Sequence, residues 1–351
     1  MTDPIPQNLT LTNHKTSEKK EFTLRLFRHG DEEAVINCIR EEYGDTYYRR
    51  DFYDKEKLLE LADSDKLYLF LAVCGDDLCG IQSIISHQPK ESRLEGASQI
   101  FKKAYRGYGL PYELVKYTYK IAKSLEPGCI YASTVVFHNI TQSMCQRAGM
   151  VPVAFNFGSH LTNKMHNSYA LGHSEKYAQA ILILPVAKQD AGNIYIPPAI
   201  SGVVKKIYTN LGVKYNIINS KGSKDDIPDG LKTVFDIKVN DREQSVSIST
   251  DAIGADFHER IAGIKKKYSE KFWTISLTLP VDGKAGCYAY EVLIKEGFFF
   301  TGIKPLCSEH ECIYMQYTGD VRFCFDEYVL TEGFKELLND ILSLKGDLND
   351  K

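Results

Sequence analysis

The residues best suited to chemistry lie in the stretch Gln99-Ile100-Phe101-Lys102-Lys103-Ala104-Tyr105-Arg106-Gly107-Tyr108-Gly109-Leu110-Pro111. A strand, about Ala97–Phe101, leads into two glycines. After them Leu114, Val115, Thr118, Ile121 and Ala122 recur at the three- and four-residue spacing of a helix. A strand that feeds a glycine turn at the start of a helix makes an anion site. Unpaired N–H groups of the first turn point outward, and the helix dipole favours negative charge there. Glycine lets the backbone approach a diphosphate closely, and Arg106 adds fixed positive charge. Pro111 suits a helix first turn but removes one N–H that could have met a phosphate oxygen. Read from these residues alone, a tight turn of an α/β sheet is the alternative.

The surrounding elements are those that would hold such a loop. Phe22–Phe27 alternates as a strand, and Asp31-Glu32-Glu33 opens a helix with Ala34, Val35, Cys38 and Ile39 on one face. A polar helix over Asp54–Ala62 precedes strands at Leu67–Val73 and Gly80–Ser86, joined by the hairpin signal Gly75-Asp76-Asp77. Beyond the glycine turn come a strand at Ile130–Val136, a helix at Thr141–Arg147 ending at Gly149, and strands at Val151–Phe157 and Ala180–Val186.

With this context the chain resembles the GNAT superfamily of N-acetyltransferases over residues 22 to about 187. Arg106, Gly109 and Pro111 fall on the fixed positions of that family's [Q/R]-x-x-G-x-[G/A] loop, which holds the pyrophosphate of acetyl-CoA, and Pro111 departs from its last position. The resemblance implies an acetyl-CoA-dependent acyltransferase acting on an amine, a small molecule or a protein. It implies cofactor contacts from Ile100, Phe101, Arg106, Gly107, Tyr108, Gly109, Leu110 and Pro111, and from His138 on the loop after the next strand. Glu95, eleven residues before Arg106, is the implied base that takes the proton of the attacking amine. Cys145 stands where many members have a tyrosine acid; as a thiol it serves there only if exposed, and otherwise it packs. Glu41, Glu42, Tyr43, Asp45 and Tyr47 lie in the region that shapes the acceptor pocket. Carboxylates and aromatics there suit a cationic amine.

The second half repeats the order. A strand at Trp273–Leu279 precedes a helix ending Glu296-Gly297-Phe298, then a strand, as Ile130–Val136 precedes Ala148-Gly149-Met150. At the place of the glycine loop it has Thr250-Asp251-Ala252-Ile253-Gly254-Ala255-Asp256, whose two carboxylates would repel a diphosphate. The expected fold class is therefore α/β with mixed sheets, in tandem GNAT-like domains. A tail over 1–21 precedes the acetyl-CoA domain over 22–190, and a degenerate copy without a cofactor loop occupies 191–351. That copy could wall off the acceptor site, bind a partner or form a homodimer.

Composition sets the outer limits. The 351 residues are 43% hydrophobic and 25% charged, which suits about two globular domains and excludes disorder as the main state. A net charge of −3 argues against nucleic acid as a partner. The longest apolar runs, such as Ala180–Ala187, fall far short of the roughly 20 residues that span a membrane. The first 21 residues read as a mobile polar tail without the apolar core of a secretory signal. Nine cysteines without a CxxC pair suggest free thiols and a cytoplasmic location. The cluster Cys307-Ser308-Glu309-His310-Glu311-Cys312 lacks a fourth ligand and a zinc spacing, so no metal is expected.

Overall fold

The computed structural model describes residues 4–87, 93–162, 172–187, 192–270, 273–307 and 310–349. The chain divides into two compact units, Met1–Ala132 and Ser133–Lys351.

The first unit runs β1 (Gln7–Thr12), β2 (Lys19–Leu26), α1 (Glu32–Tyr43), α2 (Lys55–Asp63), β3 (Leu67–Cys74), β4 (Asp77–Ile85), β5 (Arg93–Phe101), α3 (Leu110–Lys123) and the first residues of β6 (Cys129–Val135). Its strands follow in the order β1-β2-β3-β4-β5-β6. Every pair is antiparallel except β5 with β6, where the crossover through α3 makes a parallel pair. One face is covered by α1 and α2: Val35, Cys38, Ile39 and Leu58 pack with Leu69, Leu71, Ile81 and Ile100. Asp54 caps α2 by accepting from the N–H groups of Glu56 and Lys57.

The expected tail needs correcting. Gln7–Thr12 is a strand paired antiparallel with β2, Leu9 opposite Phe22. Leu9 and Leu11 alternate along it, and the Asn13 side chain closes the turn that follows by accepting from the N–H groups of Lys15 and Thr16.

The second unit completes β6 and adds α4 (Ile140–Arg147), β7 (Val151–Leu161), β8 (Lys176–Pro185), β9 (Asn193–Ile196), α5 (Ser201–Leu211), β10 (Asn216–Asn219), β11 (Val234–Asn240), β12 (Ser245–Ala252), α6 (Phe257–Tyr268), β13 (Thr274–Pro280), α7 (Lys284–Lys295), β14 (Phe299–Cys307), β15 (His310–Tyr317) and α8 (Glu332–Asn349). Its main strand order is β6-β8-β7-β14-β15-β13-β12-β11, and β9 and β10 form a separate parallel pair.

The two halves share an order of elements. In each half a parallel crossover (β5–α3–β6, then β12–α6–β13) is followed by a helix and an antiparallel hairpin. The second hairpin strand, β8 or β15, inserts beside the crossover strand. The hairpins meet where Gly302 of β14 pairs with Ala154 of β7. Gly302 has φ +137, and a Cβ there would overlap the Val153 carbonyl, so the close backbone approach requires glycine.

The expected boundary near 190 falls on residues 188–191, outside the described ones. The two compact units divide between Ala132 and Ser133.

Candidate functional site

β5 ends at Phe101, a short 3-10 turn follows at Lys103–Tyr105, and the chain enters the glycine loop. Gly107 (φ +94) and Gly109 (φ +72) both lie in the left-handed region, and Gly109 is the N-cap of α3 with Pro111 in the first turn. The carbonyls of the loop are held from one side by the turn after β1. The Asn13 amide donates to the Arg106 carbonyl at 3.2 Å, and the His14 N–H donates to the Gly107 carbonyl at 3.0 Å. The His14 ring bonds the same Gly107 oxygen. Tyr108 is buried, its hydroxyl donates to Glu18 at 2.6 Å, and its ring meets the edge of Phe22. That hydrogen bond from Tyr108 is the main reason the Glu18 carboxyl lies below its ordinary pKa.

With the carbonyls so engaged, the amides are left without acceptors. Among the described residues nothing accepts from the N–H groups of Gly107, Tyr108, Gly109 and Leu110. A Cβ placed on Gly109 would meet nothing within 4 Å, so the backbone faces open space there. Arg106 stands beside the loop, more than half exposed, with Nη2 at 3.0 Å from both carboxylate oxygens of Glu42. Amides without acceptors, a helix N-terminus and a guanidinium are groups of the kind that can hold an anion. Asn13 both closes its own turn and holds the loop, so Asn13→Ala should lower unfolding free energy by about 1–2 kcal/mol in urea titration.

The corresponding loop of the second half is closed. The Gly254 N–H donates to Thr233 Oγ1 at 3.0 Å, and the Ala255 N–H donates to the Leu231 carbonyl at 3.3 Å. Asp256 accepts from the Thr233 N–H at 2.8 Å, and a Cβ on Gly254 would overlap the backbone of Leu231–Thr233. The segment before β11 thus consumes the groups that the first loop leaves open.

Towards the other end of β5 the ladder to β6 stops at the pair Glu95–Tyr131. No ladder pair joins β5 to β6 after it, and a bulge follows. Ile81 pairs with Ile100 but Ser83 with Ala97, and Ser98 takes φ +53. The Gln82 side chain secures the bulge by donating to the Ala97 carbonyl at 3.0 Å. Where the strands part, Glu95 Oε2 bonds His87 Nε2 at 2.6 Å and accepts from Arg49 Nη2 at 3.2 Å. Arg49 Nε donates to the Tyr48 hydroxyl at 3.0 Å, and Tyr47 lies against the rings of both Tyr43 and Tyr48.

The other expected site residues fall as follows. The Ile100 side chain is core, packed with α1 and α2. Leu110 is wholly buried, main chain included, so its amide lacks an acceptor but is covered. Phe101 lies over Gly80, whose missing Cβ leaves room for the ring. Glu42 is engaged with Arg106, and Glu41 lies 4.0 Å from the Lys102 ammonium; both carboxylates therefore face cations of the loop side. In the second unit, Cys145 is 2% exposed on the inner face of α4, which corrects the expected proton donor to a packing residue. His138 packs edge-on against Phe137. Its Nδ1 is buried without a partner among the described residues, and burial holds its pKa below the ordinary value. His310 pairs with Asp282 at 2.7 Å, and Ser308 and Glu309 lie outside the described residues. Among the described residues no three potential metal ligands converge, and no helix is long and apolar enough to cross a membrane.

Asn13, Arg49 and His87 were not expected. Each lies outside the motif, and only the folded chain brings it to its partner, 93, 46 and 8 residues away.

No family model matches the sequence, and no curated protein matches it. About half of the chain is similar to solved structures of acetyltransferases. A variant of spermidine N-acetyltransferase from Vibrio cholerae is 16% identical over 48% of this chain and 95% of that one, with a TM-score of 0.40. An N-acetyltransferase from Staphylococcus aureus is 11% identical over 47% and 99%, with a TM-score of 0.39. The ribosomal-protein-S5-alanine acetyltransferase of Vibrio fischeri is 14% identical over 48% and 95%, with a TM-score of 0.38.

Proposed function

We propose that the loop Arg106–Pro111 binds the diphosphate of acetyl-CoA and that the chain transfers the acetyl group to a primary amine. The observation that carries this reading is the row of four amides without acceptors at Gly107–Leu110, at the start of α3 and beside Arg106. Acetyl-CoA, as cosubstrate, would supply the activated acetyl thioester. Direct attack by an amine needs the amine neutral and the developing oxyanion met by a donor. A β5 main-chain N–H past Glu95, where no β6 ladder pair competes, suits the second need.

Glu95 keeps its part in proton removal, now through a partner. Arg49 pairs with the Glu95 carboxylate, whose other hydrogen bond goes to His87, so the carboxylate stands where it can orient the imidazole. The hydrogen bond to His87 Nε2 fixes the imidazole, so Glu95 aligns the ring and His87 takes the proton. Glu95→Gln should lower kcat for acetyl-CoA with a panel of primary amines by about 100-fold or more, with little change in the KM for acetyl-CoA. A fall of less than about threefold would remove this assignment. The acceptor side keeps Tyr43 and Tyr47, which pack ring against ring.

In this reading residues 22–190 are the acetyl-CoA domain and 191–351 a degenerate copy that binds none, because Thr233 and Leu231 already occupy its loop amides. A second reading, an acyl-CoA-binding module without turnover, is favoured by one observation: the burial of Cys145 leaves no thiol to protonate the leaving group. Stoichiometric binding without thiol release across the amine panel would select it.

A further inference from the structure

β11 is the last strand of its sheet, and among the described residues nothing pairs with its outer side. Edge strands are usually blunted by proline, shortness or unpaired charge. β11 has seven residues, no proline, and a lysine whose charge is already matched by Asp236 at 3.6 Å on the same strand. The apolar row of the sheet runs onto it. Ile237 pairs with Ile248 and Val239 with Val246, the inner members fully covered, while Ile237 and Val239 are 39% and 43% exposed. Leu231 and Val234 beside them are also exposed, so half of the large apolar residues exposed in the described chain lie between 231 and 239.

We propose that β11 pairs antiparallel with β11 of a second copy of this chain, about a two-fold axis at Ile237. The strand Val234-Phe235-Asp236-Ile237-Lys238-Val239-Asn240 is self-complementary in that register. Asp236 stands opposite Lys238 of the second copy and Lys238 opposite its Asp236, while Phe235 faces Val239 on the apolar side. Opposite charges directly across antiparallel strands stabilise the pair. A parallel in-register pairing would instead put aspartate beside aspartate and lysine beside lysine. The two-fold arrangement makes a closed, isologous contact, so it stops at two copies.

Sedimentation velocity of the full chain should therefore show a dimer. Ile237→Lys should convert it to monomer, and so should Asp236→Lys, which sets lysine against lysine. The double exchange Asp236→Lys with Lys238→Asp restores the complement and should restore the dimer, which a merely damaged fold would not do. Ile237→Cys should give a covalent dimer on oxidation that the unsubstituted protein does not. Residues directly opposite in antiparallel strands lie about 4.5–5.5 Å apart, within disulfide reach. A monomeric unsubstituted protein, a dimer indifferent to Ile237→Lys, or a double exchange that stays monomeric would each overturn the proposal.

Discussion

A glutamate at Gly109 is expected to abolish acetyl-CoA binding while leaving the chain folded. Gly109 caps α3 in the left-handed region, and a side chain there would extend into open space in front of the four unaccepted amides. The carboxylate of Gly109→Glu would occupy the position assigned to a phosphate and would repel any that approached. The expected loss in calorimetric titration is 100-fold or more, about 3 kcal/mol. The φ of +72 adds roughly 1–2 kcal/mol of backbone cost for any side chain. Gly109→Ala isolates that cost and should bind far more tightly than Gly109→Glu. Equal affinities for the two variants would mean that the loop's charge environment is irrelevant to the ligand.

The second large effect concerns stability. Lys176, at the start of β8, is wholly buried. Its ammonium donates to the carbonyls of Glu243 and Gln244 at 2.7 and 3.0 Å and to Thr274 Oγ1 at 3.2 Å. It thereby ties β8 to the β11–β12 turn and to β13. Burial pushes its pKa down from 10.5 to about 8, against the pull of the Glu243 carboxylate. Between these values the unfolded chain binds the proton and the folded chain does not, so this group's contribution to stability rises with pH from about 8 to 10.5. The full span corresponds to about 3 kcal/mol. Lys176→Met removes both the three hydrogen bonds and the titration. It should cost about 2 kcal/mol at pH 7, where acceptors are left unpaired. The gap between the two proteins should then widen towards pH 10 as the unsubstituted chain gains its share. Tyrosine titration affects both proteins alike and cancels in the difference. A gap that stays flat across this range would show that the lysine is not held below its ordinary pKa.

Much of this architecture is legible in the sequence because it is written in local signals. The hairpin at Gly75-Asp76, the helix over Phe257–Tyr268 and the left-handed Gly149 after α4 follow from turn chemistry and periodicity. The glycine loop follows from its own residues. β1 does not, because an exposed strand with two alternating leucines in a polar stretch differs little from a tail, and its partner supplies the rest. β9 and β10 have four residues each, too few for a pattern to declare itself. The ion pairs of Glu41 and Glu42 are not legible for a related reason: residue type indicates a charge but not which cation the fold sets against it. The same holds for Lys176, whose partners on β13 and in the Glu243 turn are set only by the fold.

The central claim is that the four amides from Gly107 to Leu110 meet the diphosphate of acetyl-CoA. Nitrogen-15 amide resonances of the full chain, followed during titration with acetyl-CoA, test it most directly. The Gly107, Tyr108, Gly109 and Leu110 amides are expected to shift together and saturate at one ligand per chain, while Gly254 and Ala255, already bonded to Thr233 and Leu231, stay in place. Amides of the first loop that do not move, or movement at Gly254 and Ala255 instead, would contradict it.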